Sequence, residues 1–475
     1  MPDVLPVRLQ DLMHSGQPGL REVDPERIHL FSVLGDRLAL DIASGAVHLL
    51  DASSWDVLSG LIRGDKALSG AVARHGCDQV AAVSAEIEEL IQGGVLFSPP
   101  APYPSLAGET LLKALCLNVS HDCNLRCRYC FAGTGAYGQG RSTMLPGVGR
   151  AAVDFLIECS RDRDTCEIDF FGGEPLLAMP VVKDMVRYAR ERERTCGKTF
   201  RFTLTTNATL LSRDTVEFLN ENQMQVVLSL DGRRETNDRF RQYPGGRGSH
   251  DDVLRRVQEF IASRDGAGYY VRGTYTRHNL DFSRDAEHLL ASGIDRFSLE
   301  PVVAGHDQDY AIKQEHLPVI FAEYERLLAL YIEKRRQGAP FVFYHFEIDL
   351  SGGPCLAKRM SGCGAGREYL AVSPDGSIYP CHQFDGAHEF RMGNVLSSGP
   401  DAITTQGRGV RESFGASALA SKARCLGCWA RFYCGGGCFH SAWACNGRLD
   451  EPDPIACEIQ KKRLECAIYA QAMNL

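Results

Sequence analysis

Apolar and polar positions follow three regimes along the chain. Up to about residue 100, RLALDIASGAVHLL alternates with the period of strands and predicts two short ones around the turn residues Ser44 and Gly45. SWDVLSGLI, KALSGAVARHG and AAVSAEIEELIQGGVLF follow with helical spacing, the last stopped by Gly93 and Gly94. The linker SPPAPYPSLAG, rich in Pro and Ser, then marks a boundary. Over residues 108–345, strand-like runs alternate with amphipathic ones. LLKALCLNV, CEIDFF, FRFTLTTN, MQVVLSL, YYVRGTYT and DRFSLEP predict strands. VGRAAVDFLIECSR, PVVKDMVRYARERE, RDTVEFLNEN, DVLRRVQEFIASR and RDAEHLLAS predict helices between them, and HLPVIFAEYERLLALYIEKRRQ closes the series. Such α/β alternation implies a parallel sheet with crossover helices: enough strands for a partial barrel, too few for a closed eight-stranded one. Residues 346–475 show little helical periodicity. YLAVSPDGSIYPC predicts a hairpin turning at Asp375–Gly376. A segment so poor in apolar pattern is expected to be held together by metal clusters.

Composition narrows the classes. The chain has 475 residues, 44% hydrophobic and 24% charged, as in globular proteins of two or three domains. Its net charge of −8 argues against a nucleic-acid partner. The first residues lack a basic stretch followed by an apolar run, and no stretch approaches the roughly 20 apolar residues of a membrane span. A cytoplasmic protein without a membrane partner is expected. Eighteen cysteines in such a chain point to metal ligation rather than to a disulfide scaffold. Three crowd at 123–130 and nine lie between Cys355 and Cys457.

Cys123-Asn-Leu-Arg-Cys127-Arg-Tyr-Cys130 follows the first strand of the middle zone. Three thiolates on one tight loop can each bind one iron of a cubane 4Fe–4S cluster. The fourth iron is then left without a protein ligand, open to a substrate or cofactor. A structural zinc is the plain alternative, but it lacks a nearby fourth ligand. Phe171-Gly172-Gly173-Glu174-Pro175 ends the second strand, Thr205-Thr206-Asn207 the third and Ser229-Leu230-Asp231-Gly232 the fourth; Asp238 and Arg241 follow. Any one is an ordinary turn. Together and in order, at the strand ends where a parallel barrel builds its active site, they mark one site.

This set, with Tyr129 just before the last cysteine, resembles the signature of the radical S-adenosylmethionine superfamily. The resemblance implies a partial (β/α)6 barrel whose open iron binds S-adenosylmethionine. It also implies cofactor contacts from Phe131, Gly172, Gly173, Glu174, Asn207, Ser229, Asp231 and Arg241, with Glu174 at the amino group and Arg241 at the methionine carboxylate.

In the last zone Cys363, Gly376 and Cys381 precede Cys425-x2-Cys428-x5-Cys434-x3-Cys438, and Cys457 follows. The pattern resembles the SPASM signature of peptide-modifying radical enzymes and implies two auxiliary 4Fe–4S clusters, three clusters in all. By resemblance Cys363, Cys381 and Cys438 serve the first, and Cys425, Cys428, Cys434 and Cys457 the second. Cys355 is either the fourth ligand of the first cluster or a bystander whose absence leaves an open iron. Two zinc ribbons are the plain alternative for these cysteines, which the barrel motifs disfavour. Cys77, Cys116, Cys159, Cys166, Cys196, Cys445 and Cys466 are read as packing residues. Residues 1–100 resemble the winged-helix-like domain that captures a leader peptide as an added strand. A DNA-binding winged helix has a similar outline, which the acidic balance disfavours.

Sulfatase-maturing enzymes share this plan but carry an aspartate after the hairpin cysteine, where this chain has His382. Tyr379-Pro380-Cys381-His382-Gln383-Phe384 and the run from Cys130 to Arg141 are instead similar to thioether-forming maturases. Those acting on a six-cysteine peptide and on the small subunit of quinohemoprotein amine dehydrogenase both fit, and chain length and N-terminal layout favour the second. The implied reaction joins a cysteine sulfur to a methylene carbon of Asp or Glu after hydrogen abstraction by a 5′-deoxyadenosyl radical. His382 and Glu300 are candidate bases for the thiol. Epimerisation, carbon–carbon crosslinking and formylglycine formation share these motifs, whereas an electron carrier has no use for Glu174, Asn207 or Asp231. The expected partners are a polypeptide bound through a leader and a flavodoxin- or ferredoxin-type electron donor.

Overall fold

The computed structural model describes residues 23–473 apart from 64, 101, 103–110, 265, 306, 352, 398 and 401, so most of the predicted linker lies outside the described residues. The first zone holds strands β1 (Ile28–Val33), β2 (Asp36–Asp41) and β3 (Val47–Leu50) in antiparallel order β1-β2-β3. Strand β1 was not legible in the pattern. Helices Ala52–Arg63, Asp65–His75 and Cys77–Gln92 follow as predicted. Alternation splits the sheet between two cores: Ala39 packs with Val57, Val80 and Ile87, whereas Leu38 and Leu40 join the main core of the molecule.

Six parallel strands form where the sequence places them: β4 (Ala114–Ser120), β5 (Thr165–Gly172), β6 (Thr199–Thr206), β7 (Gln225–Ser229), β8 (Tyr269–Tyr275) and β9 (Arg296–Pro301). Helices Pro146–Ser160, Met179–Cys196, Arg213–Glu221, His250–Ala262 and Phe282–Ala291 cross between them, and Leu317–Arg336 ends the series. A short helix, Arg234–Phe240, is additional. The sheet runs beyond six strands at both edges. Strand β10 (Val342–Phe343) adds to β9 in parallel. At the other edge β11 (Tyr369–Val372) pairs in parallel with β4, then antiparallel with β12 (Ser377–Tyr379), which pairs with β13 (Gly393–Asn394).

The predicted hairpin forms with Gly376 at φ +85°, and it continues the barrel sheet. Little helical periodicity over residues 346–475 implies little helix, and that expectation is corrected. The zone ends in a long helix, Pro454–Ala472, packed against Leu317–Arg336 and β1. Leu464, Cys466, Ala467, Ile468 and Ala470 are buried there along with Lys462 and Arg463. Burial on nearly every side leaves no apolar stripe, so the period that betrays a surface helix is missing. Among the described residues no helix is long and apolar enough to cross a membrane.

Candidate active site

The loop after β4 carries Cys123, Cys127 and Cys130 over the C-terminal ends of the strands. Its path explains the paired glycines at the end of β5. A Cβ on Gly172, at φ +131°, would sit 2.4 Å from the Ser120 carbonyl oxygen, and one on Gly173 would sit 2.2 Å from that of Asp122. Gly135 locks the same loop from above, since a Cβ there would meet the Cys123 side chain at 2.7 Å. The close approach these glycines permit is thus to the cysteine loop itself. Gly173→Ala is expected to push that loop outward and cost about 1–3 kcal/mol of stability, read by thermal melting together with a fall in bound iron after reconstitution.

The three thiols line one cavity of about 210 Å³ with Gly172, Gly173, Glu174, Asn207, Ser229 and Arg241. Burial raises all three thiols, Cys123 to about 12 and Cys127 to about 11, so a bound cation is needed to hold them as thiolates. Among the described residues no three Cys, His, Asp or Glu side chains are close enough to share a single metal ion, so the fit rests on the thiols facing a common space.

Glu174 is fully buried and accepts hydrogen bonds from Leu176 N (3.0 Å), Thr206 Oγ1 (2.7 Å) and Asn207 N (2.8 Å). Burial prevails over these donors and lifts its pKa to about 7. Asn207 donates from Nδ2 to Asn124 Oδ1 at 2.9 Å, which ties the end of β6 to the cysteine loop. Asp231 lies behind the wall. It accepts from Tyr129 Oη at 2.5 Å and from Thr274 N at 3.0 Å, and Arg241 Nη1 donates to Tyr129 Oη at 3.1 Å. The aspartate therefore positions Tyr129 and Arg241, the latter facing the cavity. The buried Nε of Arg241 has no hydrogen-bond partner.

A second cavity, of about 500 Å³, is lined by Cys425, Cys428, Cys434 and Cys457 with Arg424, Arg431 and Lys461. The first three come from the short turns around helices Ala423–Leu426 and Arg431–Cys434, the last from the C-terminal helix. Cys363, Cys381 and Cys438 lie close together: burial raises the Cys363 and Cys381 thiols most, and the nearby Cys438 adds to both. Cys355 is exposed at the start of helix Leu356–Ser361.

Residues 117–278 match the model of the Radical SAM superfamily, and residues 363–429 that of SPASM, an iron–sulfur cluster-binding domain. The chain joins a radical SAM domain to a SPASM domain. The solved structure of native anSMEcpe with bound AdoMet superposes with a TM-score of 0.63, at 20% identity over 77% of this chain and 100% of that one. Streptococcus suis SuiB bound to its precursor peptide SuiA gives 0.53, at 17% identity over 90% and 98%. The mycofactocin maturase MftC of Mycobacterium ulcerans is 27% identical over 72% of this chain and 87% of its own.

The residues suit the groups a radical SAM domain holds. The orphaned Nε of Arg241 offers a donor beside the thiols for an anionic group of S-adenosylmethionine. Phe131, in van der Waals reach of Phe171 and His382 with ring centroids 6.2 and 5.6 Å away, walls the same space.

The radical SAM cavity also contains both candidate bases, and neither is poised near neutral pH. Burial would raise the Glu300 carboxyl, but His345 (Nε2 to Oε1, 2.7 Å) and Arg463 (Nη2 to Oε2, 3.3 Å) outweigh it and hold the group well below the usual range. Glu300 thus stays an ion-paired carboxylate of little basicity. Burial, with Arg272 and His440 adding, drops His382 to about 3, so its imidazole is neutral and a weak base. Its Nδ1 lies 3.0 Å from Tyr369 Oη.

Sequence reasoning missed Asp385, which joins the two domains. The carboxylate accepts from Asn118 Nδ2 (2.6 Å), Gln139 Nε2 (2.9 Å) and Ser373 Oγ (2.5 Å), and pairs with His121 Nε2 (2.9 Å). These partners come from β4, the segment after Cys130 and the SPASM hairpin. The proximity of Asp385 to the motif Cys381-His382-Gln383-Phe384 was a signal; its partners, more than 240 residues away for three of the four, were not. Of the cysteines assigned to packing, Cys116, Cys159, Cys166 and Cys466 are buried and Cys77, Cys196 and Cys445 half-buried.

Proposed function

We propose that this protein is a radical SAM peptide maturase that joins a cysteine sulfur to a methylene carbon of an Asp or Glu residue in a small protein subunit. The observation that carries the reading is the shared cavity, where the thiols of the radical SAM loop face His382 and Gln383 of the SPASM hairpin. A substrate held there stands between a radical source and the hairpin cysteine Cys381. Peptide-bound SuiB and the maturase MftC support a polypeptide as the substrate.

In this reading Cys123, Cys127 and Cys130 hold the site cluster, with Cys363, Cys381 and Cys438 at one auxiliary cluster and Cys425, Cys428, Cys434 and Cys457 at the other. Bound there, the site cluster with S-adenosylmethionine would supply the radical chemistry that takes a hydrogen atom from the substrate methylene, and an auxiliary cluster would take the electron left over when the cysteine sulfur, its proton lost to a base, bonds to that carbon. The chain's own part is orientation. Gly172, Gly173 and Glu174 present backbone and carboxylate to the amino group, while Asp231 holds Tyr129 and through it Arg241 toward the cofactor's methionine end. Phe171, Pro301 and Val302 keep one wall apolar, which suits a radical that water must not reach. Residues 1–100 serve as the leader-binding domain, 108–345 as the barrel and 346–475 as the auxiliary domain. β3 is an edge strand with Leu49 exposed beside a small cavity lined by Leu58, Val83, Ile87 and Leu96, a place for an added strand. A flavodoxin- or ferredoxin-type protein completes the set as electron donor.

Co-expression with small cysteine-bearing polypeptides from neighbouring genes, followed by mass spectrometry, tests the reading. Each thioether removes a pair of hydrogens, and fragmentation places the bond between Cys and Asp or Glu. A product of unchanged mass with an inverted centre would replace this reading with epimerisation.

A further inference from the structure

Among the described residues, Arg272 reaches the cavity of the barrel as an exposed cation without a hydrogen-bond or ion-pair partner. In β8 the buried residues Tyr269, Val271, Gly273 and Tyr275 face the helices, which turns Tyr270, Arg272 and Thr274 inward. Arg272 lies level with Ser229 of β7 and Ser298 of β9, and its side chain lines the active cavity. The other charged groups of that wall are already engaged. Arg241 is bound to Tyr129, and Glu300 to His345 and Arg463. Arg272 has no hydrogen-bond or ion-pair partner among the described residues, yet its charge is felt at Glu300, His345 and His382. Apolar Phe171, Pro301, Val302 and Val303 line the same cavity. A guanidinium in such a place offers two parallel N–H donors to an anion whose adjoining carbons rest on apolar surface.

We propose that Arg272 is the specificity residue of the cavity and binds the side-chain carboxylate of an acidic residue in the substrate. The contact fixes the methylene beside that carboxylate in the space between the cysteine loop and the SPASM hairpin. The claim deepens the maturase reading and rests on it for the identity of the polypeptide, but not for the binding of the carboxylate.

The test uses reconstituted holoenzyme with S-adenosylmethionine and two probes of one size, N-acetyl-glutamate α-amide and N-acetyl-glutamine α-amide, with binding followed by saturation-transfer NMR. The acid is expected to bind about tenfold or more tightly than the amide, because a hydrogen bond to a charged group is lost with the amide. Arg272→Gln should erase that preference and Arg272→Lys keep part of it. Equal binding of acid and amide by the unaltered enzyme overturns the proposal, as does a preference that survives Arg272→Gln. Loss of peptide-free 5′-deoxyadenosine in Arg272→Gln also overturns it, because the arginine would then serve the cofactor. If the acid preference holds while no polypeptide is crosslinked, the maturase reading fails and the carboxylate site stands.

Discussion

Replacing Cys127 with alanine is expected to remove the site cluster and, with it, all cleavage of S-adenosylmethionine, while the chain still folds and keeps its other iron. Cys123, Cys127 and Cys130 line one cavity and no other cysteine does, so two remaining thiols leave a cubane with two uncapped irons. The four cysteines around the second cavity lie on different elements and are untouched by the change. After anaerobic reconstitution the variant should lose only part of its iron, and its 5′-deoxyadenosine should fall by about 10³-fold or more. Cys466→Ala is the control. That thiol is buried in the C-terminal helix away from both cavities, so the substitution is expected to lower stability and leave the cleavage rate per folded molecule unchanged.

Asp385→Ala is expected to cause a large loss of stability. It leaves Asn118, His121 and Ser373 with buried groups facing an empty space and takes the acceptor from the exposed Gln139, at a cost of about 3–5 kcal/mol. Loosening is expected first where the hairpin meets the barrel, as faster amide exchange in β11 and β12 than in β6 and β7. The pH dependence has a definite sign. Burial would raise this carboxyl, but His121, Ser373 and Asn118 outweigh it and hold it below the usual range. A depressed native pKa gives stability that is present above the ordinary carboxylate range and lost as pH falls through the lower folded value. The Ala variant should therefore show a flatter stability profile in acid than the unaltered chain.

How far the sequence alone reaches follows from the range of the interactions. β4 to β9 are legible because each strand is a short run of apolar residues bounded by polar helices, a local property. The residues brought to the cavity were legible for a similar reason. Cys123, Gly173, Glu174, Asn207 and Ser229 each sit at a strand end, and strand ends of a parallel barrel share one face. Local pattern does not give the role of Asp385, because three of its four partners lie more than 240 residues away in the chain. It also hides Arg463, a charged residue in a helix without an apolar stripe, which turns Glu300 from a candidate base into half of an ion pair. Asp231 was legible as a site residue, but its place behind Tyr129 depends on how the loop of Cys130 folds back over β7.

The most direct measurement is the yield of 5′-deoxyadenosine from anaerobically reconstituted protein given S-adenosylmethionine and a strong reductant. A cavity in which three thiols leave one iron open predicts adenosine product that depends on reductant and disappears with Cys127→Ala. Iron-loaded, reduced protein that leaves S-adenosylmethionine whole would contradict the account at its root.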